Sequence, residues 1–404
     1  MKIAERFLKY VSYETASNPY SDTTPSDSNV LKLAEYLVNE LKELGLSNAY
    51  MDEYGRVYAR LSKNSDNTSK LGFIAHMDTS SDASGENVKA RIVEKYDGQT
   101  IFLNEAKKLT LDPKQFPKLE KVIGDDLIVT DGTTLLGGDD KAGIAIIMNM
   151  LEYFINNPQI SHGDIAVAFT PDEEIGRGAD YFKIAEFDVD YAFTLDGGSV
   201  EEICFENFNA FAVNVDINGK SFHPGDSKGK MINAILVANE FETMLPPLMK
   251  PQFTQGYEGF NHLHNINGNC EHTLMEYIVR NHDLNKAKEQ LKQFETIKNQ
   301  LNDKYGYEIC TLKVQEQYLN MYEIIKDHMD IIDNAKAAMR ANGVEPIDYP
   351  MRGGTDGARL TYEGLLCPNL GTGDFNAHGN FEYVSINMME KLVDILKTMV
   401  ISAK

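Results

Sequence analysis

Thiols, basic side chains and long apolar runs are all scarce in this chain of 404 residues, and each scarcity excludes something. The four cysteines, Cys204, Cys270, Cys310 and Cys367, stand far apart with no CxxC pair. They read as reduced, mostly buried thiols of a reducing compartment, not as a disulfide framework. Lys and Arg number 39 against 61 Asp and Glu, a formal charge of −22. Such a field repels phosphate backbones and anionic lipid, so neither nucleic acid nor a membrane surface is expected as partner. No run reaches the roughly 18 uninterrupted apolar residues of a membrane span. The nearest, Gly143 to Ile155, is broken by Asn149 and Glu152. Glu5, Arg6 and Lys9 occupy the stretch that a secretory signal keeps apolar, so a cytoplasmic protein is expected. Internal repeats and low-complexity tracts are also missing.

What is present has the make-up of a globular protein, 42% hydrophobic and 25% charged. The length favours two or three domains. Residues 28–44 carry Leu33, Leu37, Leu41 and Leu44 at helical spacing, with Gly45 at the C-cap position. Short apolar runs follow: Leu71–Ala75 into His76, Ile165–Thr170 into Asp172-Glu173-Glu174, Tyr191–Leu195 into Asp196, and Leu365–Leu370 toward His378. Unbroken runs of this length suit strands covered on both faces, and in open parallel sheets ligands bind beyond the strands' carboxyl ends. Polar loops after strands explain any one of these acidic or imidazole endings; they explain four together poorly.

Between residues 209 and 317 the pattern changes. Phe211, Val213, Val215 and Ile217 alternate with period two, marking a sheet with one covered face. A helical stretch (231–245), two strand-like runs (257–266, 272–280), a second helix (285–303) and a strand (307–315) follow. The order β-α-β-β-α-β is that of a ferredoxin-like unit. The expected fold is therefore α/β: a largely parallel central sheet flanked by helices, with a ferredoxin-like α+β domain inserted. The expected division is 1–208 and 318–404 for the first domain and 209–317 for the insertion.

Three short stretches carry potential chemistry. His76-x-Asp78 offers an imidazole with a carboxylate able to hold its ring, although a structural pair is the commoner meaning. Asp139 and Asp140 follow Gly137-Gly138 at a helix start, where either alone would be a cap. Asp172-Glu173-Glu174 crowds carboxylates at a buried strand end, and a divalent cation on one with its neighbour as general base resolves the repulsion. Asp196 and His378 complete a set for two ions; oxygen and imidazole donors suit Zn2+, with Mn2+ or Co2+ as substitutes.

Rival motifs lack their context. Gly225-Asp-Ser227-Lys-Gly229 fits the nucleophile elbow, but no buried strand precedes it. Gly219-Lys-Ser221 lacks the earlier glycine of a phosphate loop, and no HExxH occurs. His262 and His264 share a strand face without carboxylates nearby in sequence; His162, His272, His282 and His328 read as core or surface residues.

Taken together, HMDTS (76–80), LLGGDDKAG (135–143), FTPDEEIGRGA (169–179), LDGG (195–198), FENFNA (205–210), HPGDSKG (223–229), TQGYEGF (254–260), RGGTDGA (352–358) and NAHG (376–379) resemble the co-catalytic zinc exopeptidases along essentially the whole chain. The resemblance implies two Zn2+ per subunit, one held by His76 and Asp196, the other by Glu174 and His378, with Asp139 bridging. It implies that Asp78 orients His76 and that Glu173 is the general base. It further implies Arg280 and Arg352 for a substrate carboxylate, His223 for the oxyanion, and a homodimer through the inserted lid domain. The implied activity is release of the N-terminal residue from tripeptides. A carboxypeptidase or N-acyl-amino-acid deacylase of the same fold is the nearest alternative, and a non-catalytic two-lobed metal-binding protein a further one. Ala377 stands where the family has an aromatic and Gly138 where Ala is more usual, without touching the implied ligands.

Overall fold

The uninterrupted apolar runs form the middle of an eight-stranded sheet in a computed structural model that describes residues 1–403. Lys70–His76 lies between Asp164–Thr170 and Tyr191–Leu195, and both ladders are parallel. Asn369–Leu370 continues the parallel set beside Tyr191–Leu195. Beyond this centre the sheet is mixed. Val57–Leu61 pairs antiparallel with Asp164–Thr170, and Glu202–Cys204 antiparallel with Asn369–Leu370. A short parallel ladder between Glu202–Cys204 and the exposed edge strand Ile347–Asp348 closes the sheet, and the last apolar run contributes two residues of ladder where Leu365–Leu370 was expected. Ile74, Ala166, Ala168 and Ala192 pack on Phe182, Phe187 and Leu360; the alternate residues point the other way. The helix Gly138–Asn156 lies against Lys70–His76 and Tyr191–Leu195, and also packs on the helices Ile3–Val11 and Ile386–Ser402. Among the described residues no helix is long and apolar enough to cross a membrane.

Two compact units divide the chain. The first holds Met1–Phe205, Ile324–Tyr349 and Thr355 onward; the second holds Glu206–Glu323 with Pro350–Gly354. In the second, Asn209–Asn218 is flanked by His272–Asn281 and Cys310–Tyr318, with Phe260–Gly268 at the edge, all antiparallel. Helices Ala234–Met244 and Leu284–Tyr305 cover one face, burying Phe211, Val213, Val215 and Ile217 against Phe241 and Phe294. Asp283 caps the longer helix by accepting from the amides of Asn285 and Lys286, and Gly306 ends it at φ 74°.

This unit is wider than the expected 209–317 because hydrogen bonds draw in its flanks. Asn207 donates to the carbonyls of Phe208 and Leu319 and accepts from the Met321 amide. Met351 donates its amide to Glu206, and Arg352 ties down the loop 254–258. Residues 350–354, expected with the first domain, accordingly group with the second.

Candidate metal centre

Strand ends of the first unit carry most of the candidate ligands. His76 is the last residue of its strand, and Asp196 directly follows Leu195. Glu173 and Glu174 form a tight turn flanked by left-handed residues, Asp172 at φ 64° and Gly176 at φ 72°. Both carboxylate oxygens of Asp172 accept the Ser26 amide, which holds that turn to the N-terminal loop. Asp139 opens the helix Gly138–Asn156 with non-helical backbone, and the Asp139–Asp140 peptide is cis. His378, at φ 64°, sits in the loop joining the strands Asp374–Phe375 and Tyr383–Ser385.

Asp139 stands between the two imidazoles. His76 Nε2 lies 2.8 Å from its Oδ1, and His378 Nε2 lies 3.4 Å from its Oδ2. Asp196 Oδ1 approaches His76 Nε2 at 3.8 Å, and Glu174 Oε2 approaches His378 Nε2 at 2.9 Å. The ligand atoms of His76, Asp139 and Glu174 fall within 4.8 Å of one another, as do those of His76, Asp140 and Asp196. The five side chains expected as ligands are therefore neighbours.

Asp78 does more than face the imidazole. His76 Nδ1 is 2.9 Å from the Asp78 carbonyl and 3.4 Å from its carboxylate, whose two oxygens accept the amides of Glu173 and Glu174. One side chain thus joins the loops bearing His76 and the paired glutamates.

Electrostatics mark the same place. Burial, reinforced by Asp196, Asp356 and Glu174, pushes the Glu173 carboxyl well above the usual carboxylate range. Burial also raises Glu174, to about 7, with Asp139 adding to it. Hydrogen bonds to Asp139 and Glu174 lift the His378 imidazole to about 11. Crowded carboxyls of this kind are what a divalent cation relieves. Glu174 Oε1 is moreover buried without a hydrogen-bond partner, an acceptor that a cation would satisfy. Donors that are all imidazole and carboxylate fit Zn2+, Mn2+ or Co2+.

Several side chains around the cage escaped the sequence reading. Asp140, legible only as a possible cap, accepts the amides of both Gly143 and His76. Asp356, inside the RGGTDGA stretch, accepts from Thr170 and lines a small cavity with His76, Asp140, Glu173 and Asp196. Glu382 accepts three amides of the Asp139 loop, while burial and Glu382 raise Asp374 beside it. The single available signal was a glutamate four residues after His378.

His223, Arg280 and Arg352 belong to the second unit and are engaged there. His223 Nδ1 accepts the Gly225 amide. Arg280 donates to the carbonyls of Phe211 and Val279 and to Gln317, over the Tyr318 ring. Arg352 donates to the carbonyls of Gly256 and Glu258 and to Thr254, over Phe208 and Phe260.

Known proteins resemble this chain along nearly its whole length. A Halothermothrix orenii protein named Peptidase T is 50% identical over 396 residues, covering 98% of this chain and 97% of its own. The crystal structure of aminopeptidase PepT from Bacillus cereus superposes with a TM-score of 0.78 at 21% identity, covering 99% of this chain and 97% of that one. A Bacillus subtilis structure described as a dinuclear metal binding peptidase from the M20 family gives a TM-score of 0.66 at 12% identity, covering 99% and 96%. Residues 134–402 match the family model described as Peptidase family M20/M25/M40, and the chain belongs to that family.

Proposed function

We propose that this chain is a cytoplasmic aminopeptidase that removes the N-terminal residue from tripeptides, using two divalent cations, zinc in the first place and Mn2+ or Co2+ as substitutes. The observation that carries the reading is Asp139, one carboxylate set between two imidazole-carboxylate pairs, with the half-buried Glu173 lining a cavity beside His76 and Asp196. Half-identity over nearly the whole chain to a Peptidase T supports the substrate class.

In this reading His76 and Asp196 would hold one cation and Glu174 and His378 the other, with Asp139 as the ligand between them. Bound there, the cations supply Lewis acidity toward a carbonyl and toward water. Glu173 takes the proton of the attacking water and hands it to the leaving amine. Its surroundings suit that work, because a carboxyl held above the usual carboxylate range by desolvation and neighbouring carboxylates keeps the proton it takes until it can return it. Asp78 keeps the His76 ring and the Glu173 turn in one frame. His223 is assigned to the oxyanion, and Arg280 and Arg352 to the substrate carboxylate, whose shape a guanidinium fork matches. A homodimer through the inserted unit belongs to the same reading; its edge strand Phe260–Gly268 exposes Ile266.

Purified protein assayed with a free tripeptide and the same peptide acetylated at its N-terminus tests the assignment. Cleavage of the free peptide alone is expected. Equal cleavage of both would replace the aminopeptidase with a carboxypeptidase or deacylase of the same fold.

A further inference from the structure

The two loops carrying Asp139 and His378 must keep a fixed separation if both are to serve one pair of cations. Asp139 lies in the non-helical opening of Gly138–Asn156, whereas His378 lies in the connection between the strands Asp374–Phe375 and Tyr383–Ser385. Glu382, 1% exposed at the end of that connection, spans the gap. Its Oε2 accepts the amides of Leu136 at 2.6 Å and Gly137 at 2.9 Å, and its Oε1 accepts the Asp139 amide at 3.1 Å. Gly137, at φ 83°, turns these amides toward one point, a concave nest that favours an anion. With both oxygens engaged by amides, Glu382 is not itself placed as a ligand.

The loop has no slack toward the strands Asp374–Phe375 and Tyr383–Ser385. A Cβ at Gly138 would lie 2.2 Å from Asp374 Oδ1 and 2.6 Å from a Val384 methyl. The Asp139 loop is held by Glu382 and stopped by the sheet beneath it. We infer that Glu382 is a positioning residue that sets the distance between Asp139 and His378, and through it the affinity for the cation they share. This rests on the dinuclear centre proposed above.

The test uses the full chain with two substitutions. Glu382→Gln keeps the reach and loses one acceptor; Glu382→Asp keeps the charge and loses one methylene of reach. On chelator-stripped protein, hydrogen exchange should accelerate at the amides of residues 136–139 while circular dichroism and the thermal midpoint stay near those of the parent. Cation affinity, read by chelator competition, should fall about 10- to 100-fold, with kcat reduced and KM nearly unchanged. A folded variant of either kind with parental amide protection and parental cation affinity overturns the inference. So does an affinity loss matched by a general drop in the stripped protein's midpoint, which would make Glu382 a packing residue. Should one variant not fold, the other decides. A parent chain that binds no cation overturns the centre itself, and that result is distinct because the exchange measurement needs no metal.

Discussion

Glu173 and Glu174 are adjacent in sequence yet differ in what surrounds them. Glu174 meets His378 at 2.9 Å, whereas Glu173 lines a small cavity with His76, Asp196 and Asp356. Glu173→Gln should therefore keep the bound cations while turnover falls about 10²- to 10⁴-fold, the usual worth of a positioned base. Metal analysis beside a tripeptide assay checks this; unchanged turnover would remove Glu173 from the reaction. His378 gives a pH dependence with a definite sign. Asp139 and Glu174 hold its proton up to about pH 11, so at neutral pH a cation must displace that proton to reach Nε2. Affinity should weaken as pH falls, by about tenfold per unit for each proton displaced. Titrations at pH 6.5 and 8 read the slope, and a flat profile would say that His378 is not a ligand.

At the scale of elements, strand ends and helix starts do the placing. The apolar runs were legible as strands because burial on both faces leaves no polar alternation, and His76 and Asp196 were legible with them as the residues at their ends. The Asp139 loop was legible only as a glycine-rich helix entry. Its clamp comes from Glu382, whose bond to Leu136 joins residues 246 apart in sequence, and no local pattern reports such a pairing. The second unit was readable from the order of its elements and from the period-two alternation of its first strand, Asn209–Asn218. Its long helix starts on Asp283, which accepts two amides. Asp283→Ala should cost that unit about 1 kcal/mol in a urea titration and leave cation affinity alone. A shift in cation affinity would count against the independence of the two.

For the whole molecule the two units predict two responses to metal. A ligand that binds only folded protein stabilises it, by about 2.7 kcal/mol at 100 times its Kd. Every proposed cation ligand lies in the first unit, whereas the second has its own core around Val213, Phe241 and Phe294. Chelation should lower the first unit's calorimetric transition and spare the second's; a first transition that does not move would argue against the centre. The chain's own letters determined what depends on neighbours in sequence: apolar runs that become central strands, the period-two insertion, and the imidazoles and carboxylates at run ends. Tertiary structure alone decided the antiparallel flanks of the sheet, the capture of residues 350–354 by the second unit, and the buried carboxylates Asp140, Asp356 and Glu382 around the cage. The physical reason is range. Burial and periodicity act on a few consecutive residues, whereas a hydrogen bond from one loop to an amide in another exists only after the chain has brought them together.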